Sequence, residues 1–182
     1  MTNTFTVGNV AITLDEKDVD NDANTSDNVT INGETRDKAN SYKLMPGQTY
    51  TKDPIIRVDA SSENCYLFVK VDNQISSIEA TGNTTVAAQM AANGWKAVDG
   101  QDKLYVYIGK AEGASAPLAV AKSANVPVFE KIVVSDDATN ISLEAVNGKN
   151  IVVNAYAVQA EGFTEKTAAE IWTATFGKPA GN

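Results

Sequence analysis

The chain has no histidine and a single cysteine in 182 residues. Without histidine it lacks the commonest general base near neutral pH, the commonest zinc ligand and the usual charge switch between pH 5 and 8. Ser-His-Asp and Cys-His nucleophiles are excluded outright. One cysteine, Cys65, excludes a disulfide within the chain. Basic residues are in deficit: 15 lysines and arginines stand against 23 aspartates and glutamates, a net charge of −8. That balance argues against nucleic acid or an anionic membrane surface as a partner. No apolar run approaches the roughly 20 residues of a membrane-spanning helix, so membrane insertion is not expected. No glycine-rich phosphate loop follows a strand, no segment repeats, and no cofactor is expected.

An apolar fraction of 43% over this length suits one domain with a sizeable core and argues against wholesale disorder. The chain opens MTNTFTVGNVAITLDEKD, a strand pattern almost from the first residue. Phe5 and Val7 are odd-numbered; Val10, Ile12 and Leu14 are even. Alternation has period two, so one face cannot hold both sets without an extra residue. Gly8-Asn9 lies at the break, where a glycine-containing bulge would supply that residue; two short strands joined by a turn are the alternative. Met1-Thr2-Asn3-Thr4 has neither the basic start nor the apolar stretch of a signal peptide, which taken alone reads as cytoplasmic.

An acidic stretch follows. Asp18, Asp20, Asp22, Asn24 and Ser26 fall two apart, as in a calcium loop. However, Ala23 stands where the tight-turn glycine belongs, and Val29 where a bidentate acid would close the loop. The stretch therefore reads as a solvated linker, with Asp18, Asp20 and Asp22 a weak surface calcium candidate. The resulting division is a completing strand over residues 1–14, an acidic linker over 15–27 and a β-sandwich over 28–182.

Within the sandwich, NVTING predicts a short strand and a turn, and Pro46-Gly47 a type II turn. IIRVDASSENCYLFVKVDN reads as two strands. In the second, Cys65, Leu67, Val69 and Val71 share one face, while Tyr66, Phe68 and Lys70 share the other, which makes Cys65 a packing residue. The run TTVAAQMAANGW predicts a helix over about 84–93, closed by Gly94. DGQDKLYVYIGK predicts a strand with Leu104, Val106 and Ile108 inward and Tyr105 and Tyr107 on the other face. GKAEGASAPLAVAKSANVP reads as a surface loop; VFEKIVVSD, NISLEAV and NIVVNAYAVQA read as three more strands, with an Asn147-Gly148 turn before the last. The chain closes with a helix over about 165–176, capped by Thr164, bearing an apolar stripe of Ala168, Ile171, Trp172 and Phe176. Many short strands with two short helices predict an all-β, antiparallel sandwich.

The ordered set TNTFTVGNVAITL, YKLMPGQTYTKDPIIRVDASSENCYLFVKV, NGWKAVDGQDKLYVY, VPVFEKIVV and IVVNAYAVQAEGF, then a helix holding Ile171-Trp172 and ending TFG, resembles secreted proteins of the TasA and camelysin type. These are biofilm matrix fibre subunits whose signal peptides are cut by a SipW-like peptidase. The resemblance runs from about residue 3 to 177. It implies a jelly-roll sandwich and a mature chain beginning just before the first strand, with the signal peptide already removed and Met1 added. It also implies an extracellular, cell-surface or matrix location and a head-to-tail homopolymer built by donor-strand complementation. In such a polymer Phe5, Val7, Val10, Ile12 and Leu14 form the subunit interface. An accessory anchor protein is left open as a further partner.

Burying those five side chains is worth roughly 1.5–3 kcal/mol each. Ordering some ten residues costs about 1–2 kcal/mol each, so backbone hydrogen bonds at roughly 1 kcal/mol each decide the balance. The groove can belong to the same chain or to the next, since 13 linker residues extend to about 43–47 Å. Three function classes follow. The first is a structural fibre subunit, not an enzyme. The second is a monomeric surface adhesin using Tyr105, Tyr107 and Tyr156 as an exposed aromatic face, which electron microscopy separates from the first. The third is a camelysin-like peptidase, whose zinc site would need carboxylates and Cys65 alone.

Overall fold

The structure, a computed structural model, describes residues 9–20 and 28–177. In chain order its strands are β1 (Ile12–Lys17), β2 (Val29–Ile31), β3 (Glu34–Asp37), β4 (Thr49–Thr51), β5 (Ile55–Val58), β6 (Cys65–Asn73), β7 (Trp95–Ala97), β8 (Leu104–Tyr107), β9 (Asn125–Pro127), β10 (Lys131–Val133) and β11 (Ile151–Gln159). Three helices join them: α1 (Val86–Ala92), α2 (Asn140–Ala145) and α3 (Ala168–Phe176). The pairings are antiparallel throughout. They make a five-stranded sheet in the order β2-β3-β1-β5-β9, a four-stranded sheet β11-β6-β8-β7, and a two-stranded ribbon β10-β4. The all-β sandwich expected from the alternation is what forms.

The two larger sheets close on one core. Ile56 and Val58 of β5 meet Cys65, Leu67, Val69 and Val71 of β6, with Val10, Ile12 and Leu14 packed alongside. The even-numbered apolar set of the opening segment thus faces inward, as its alternation requires. The second face of β6 is also buried. Tyr66 and Phe68, with Leu104 and Val106 of β8, lie under α3, which contributes Ile171 and Trp172. Sequence reading assigned the two faces of β8 correctly as sets, but the tyrosine face is the one turned to the inter-sheet core, where Tyr105 and Tyr107 pack. Tyr156 packs against Trp172 and Phe176. The three tyrosines of the adhesin reading are therefore packing residues rather than an exposed aromatic face.

Turn chemistry places the hairpins. Asn32 and Gly33 both take positive φ, 53° and 83°, the two-residue turn that suits the right-handed twist of β2 and β3. Gly47 has φ 69°, and the Gln48 N–H donates to the Met45 carbonyl across it, in keeping with a Pro-Gly turn.

Three expectations need correction. First, NISLEAV holds a helix: Thr139 and Ser142 cap each other's backbone N–H groups, and this local box overrides three alternating apolar residues. Second, the last helix starts three residues later than expected. Thr167, boxed with Glu170, is its cap, while Glu165 takes positive φ of 66°, which ends any helix running through it. Third, the stretch 15–27 is not solvated from its start. β1 continues through Lys17, and Asp15 and Glu16 are buried in it. Residues 21–27 lie outside the described residues, as do Phe5, Val7 and the Gly8 of the expected bulge.

Because α3 covers a sheet face that would otherwise be wet, its inner side chains should carry stability out of proportion to its length. Ile171 is 0% exposed and Phe176 44%. Ile171→Ala is expected to lower unfolding free energy by about 2–5 kcal/mol and Phe176→Ala by under about 1.5 kcal/mol, read from urea denaturation followed by tryptophan fluorescence.

Candidate functional site: the seat of the first strand and an open sheet edge

β1 lies inside the five-stranded sheet with β5 on one side and β3 on the other. Its register with β5 runs from Ile12 opposite Val58 to Asp15 opposite Ile55. The ladder continues before the strand: the Asp59 N–H donates to the Ala11 carbonyl at 2.9 Å and the Glu63 N–H to the Asn9 carbonyl at 2.8 Å. Toward its other end β1 turns to β3, with Glu16 opposite Asp37 and Lys17 opposite Arg36.

What pins this register is a charge cluster. Asp15, 6% exposed, receives both neighbouring guanidiniums. Arg36 Nε donates to Asp15 Oδ1 and Arg57 Nε to Asp15 Oδ2, each at 2.7 Å. Arg36, 3% exposed, is held in turn by Asp53, whose Oδ2 accepts from Nη1 at 2.8 Å and whose carbonyl accepts from Nη2 at 3.0 Å. Asp53 Oδ1 accepts the Lys17 N–H at 2.7 Å. Beside this group Lys52 Nζ meets Glu16 Oε2 at 2.7 Å. Burial pushes the Asp15 carboxyl up, but hydrogen bonds from Arg57 and Arg36 and their charges outweigh it, leaving the group below its usual range. Sequence reading missed these residues because LDEKD looks solvated. The available signal was that Asp15 lies in phase with Thr13 and Lys17, on the strand face opposite Leu14, where arginines of adjacent strands can reach it.

The second feature is an edge. β11 pairs with β6 over nine residues without interruption, and among the described residues no strand pairs with its other side. The Ala160 N–H donates to the Asn64 carbonyl and the Gln74 N–H to the Asn150 carbonyl, so even-numbered positions bond to β6. By alternation the N–H and C=O groups of Ile151, Val153, Ala155 and Ala157 point to the open side. The side chains of these same four residues reach the inter-sheet core and are only partly buried. A cleft of ≈ 440 Å³ opens there, bounded by Leu14, Asp15 and Glu16 of β1 and by Ile151, Val152 and Val153 of β11. The core is thus only partly covered where an apolar strand has free backbone.

Of the residues expected at a subunit interface, Val10, Ile12 and Leu14 pack on the chain's own core; Phe5 and Val7 lie outside the described residues. Of the calcium candidates, Asp18 and Asp20 come together, with Asp37 as the third member of their group; Asp22 lies outside the described residues. Cys65 is fully buried, and burial pushes its thiol up to about 11. No family model, no curated protein and no solved structure matches this chain.

The charge cluster predicts both a mutational and a pH response. Asp15→Asn leaves two guanidiniums near an uncharged amide and is expected to cost about 3–5 kcal/mol. Because the folded carboxyl sits below its unfolded value, its contribution is complete above about pH 3.9 and is lost as pH falls through the lower folded value. Urea midpoints of wild type and Asp15→Asn should therefore differ most at pH 7 and converge in strong acid.

Proposed function

We propose that this chain is a structural subunit of an extracellular bacterial fibre of the TasA and camelysin type, in which the segment ahead of Asn9 adds as a strand to the open edge of β11 in the next copy. The observation that carries this reading is β11 itself. Natural sheet edges are blunted by charge, proline, bulges or shortness. IVVNAYAVQ has no charged residue and no proline, is nine residues long and keeps one register throughout. Such an edge is built to be covered.

The opening segment is a suitable cover. Phe5 and Val7 alternate with threonines, giving one apolar face for the half-buried Ile151, Val153, Ala155 and Ala157 and one polar face for solvent. Residues 9–17 are less suited to exchange, since they are laddered to β5 and β3 and pinned through Asp15. Exchange therefore involves the residues before the phase change at Gly8-Asn9. A strand given by one copy to the next is a heterologous contact, which propagates into a filament unless rotation closes a ring. The net charge of −8 keeps separate copies soluble; screening it with salt favours their approach.

Electron microscopy of concentrated protein tests this. Full-length chain is expected to give filaments, promoted by salt. A chain lacking residues 1–7 is expected to stay dispersed with a melting temperature close to that of the full chain, because β1 and its ladder remain. Ala155→Pro is expected to block filaments while keeping the fold, since the lost N–H faces the open side. Filaments from the truncated chain equal to those of the full chain would overturn the reading.

A further inference from the structure

Asparagine followed by glycine occurs three times in the chain, at Asn32-Gly33, Asn93-Gly94 and Asn147-Gly148. The dipeptide carries latent chemistry. With no Cβ on the second residue, its backbone nitrogen can approach the asparagine Cγ closely. Attack there needs a side-chain amide that can turn, a glycine N–H without an acceptor, and a backbone that can open locally. The fold meets these conditions unequally at the three places.

Asn93 meets none of them. It is 6% exposed; its Nδ2 donates to the Val128 carbonyl at 3.3 Å, and its Oδ1 accepts from Lys110 Nζ at 2.9 Å. The Gly94 N–H donates to the Ala91 carbonyl at 3.1 Å. Asn32 and Gly33 are exposed, but they form the tight turn between paired Ile31 and Glu34, and β3 beyond them is fastened through buried Arg36. Asn147 differs from both. It and Gly148 are exposed. Among the described residues neither the Asn147 side-chain amide nor the Gly148 N–H has a hydrogen-bond partner, and a Cβ placed on Gly148 would meet nothing within 4 Å. The helix that leads into the pair, α2, is six residues long and buries none of them. A segment with so few buried contacts opens locally at little cost.

We propose that Asn147-Gly148 is a self-modifying site, where the folded chain deamidates in water without an enzyme. The Gly148 nitrogen gives its proton to hydroxide and bonds to Asn147 Cγ. The Cγ–Nδ2 bond breaks, and Nδ2 takes a proton from water and leaves as ammonia. The cyclic imide that remains then adds water. Opening at one carbonyl gives an aspartyl residue; opening at the other gives its isoaspartyl isomer, with the backbone routed through the former side chain. Either product replaces a neutral amide with a carboxylate. The isomer also adds a methylene to the backbone between buried Val146 and Asn150. Asn150 is tied to Gln74, whose N–H donates to its carbonyl at 3.1 Å and whose Oε1 accepts its N–H at 3.3 Å, at the entry to β11. The new charge and the longer backbone therefore arise where the open edge begins, whether or not strands are exchanged.

The test incubates the full chain in mildly alkaline buffer, folded and in urea. Each asparagine is followed by peptide mass mapping, and isoaspartyl content is read by enzymatic methylation. In the folded chain Asn147 is expected to convert at least about tenfold faster than Asn32 or Asn93, a difference of about 1.4 kcal/mol in barrier. In urea the three should converge, since only the fold distinguishes them. Asn147→Gln is expected to abolish the early release of ammonia while circular dichroism stays unchanged. The proposal is overturned if Asn147 converts no faster than the other two in the folded chain, if its lead persists undiminished in urea, or if Asn147→Gln releases ammonia like the wild type.

Discussion

One carboxylate between two guanidiniums organises the five-stranded sheet. Asp15 belongs to β1, Arg36 to β3 and Arg57 to β5, so the cluster joins three adjacent strands through side chains as well as backbone. Apolar burial alone would place β1 less sharply. A slip of two residues still turns Val10, Ile12 or Leu14 inward, and only the ion pairs separate that register from the correct one. A slip of one residue is worse, since it drives the carboxylate into the core and takes from Arg57 its carboxylate partner and from buried Arg36 one of two. Because β1 lies inside its sheet, the register of β3 and β2 beyond it depends on the same contact.

The four-stranded sheet has a different constraint. β6 is buried on both faces, against the first sheet through Cys65, Leu67, Val69 and Val71 and against α3 through Tyr66 and Phe68. Neither face is free for a ligand, which leaves the edges. β7 is a three-residue edge, too short to template much pairing. β11 is three times as long, uncharged and only partly covered. The geometry that buries the faces therefore leaves the longest open edge of this sheet on one strand. The acidic group beside β1 and β3 is a separate feature, at the other end of the β1 segment from its ladder with Asp59 and Glu63.

Much of the architecture was legible in the residues. Strand alternation grouped Val10, Ile12 and Leu14 of the first strand and separated the two faces of β6; the alanine-rich run closed by Gly94 marked α1; NVTING marked a short strand and a turn. The misses have local physical causes. NISLEAV alternates like a strand but carries a threonine–serine cap that starts a helix. The start of α3 was misplaced because two threonines three residues apart both precede it, and only Thr167 has a glutamate three positions on, at Glu170, to complete the box.

What the sequence by itself determined is what short-range chemistry can encode: which side chains share a strand face, where glycine or a capping residue ends an element, and, from the missing histidine, which catalysts cannot exist here. The tertiary structure decided which strands are neighbours. That choice turned Asp15 from a solvated acid into a buried anchor, brought Asp37 to Asp18 and Asp20, and left β11 with one side unpaired. Periodicity is a property of a segment, but the burial of a charge and the vacancy of an edge depend on residues far away in the chain. They are fixed only when the sheets close on each other.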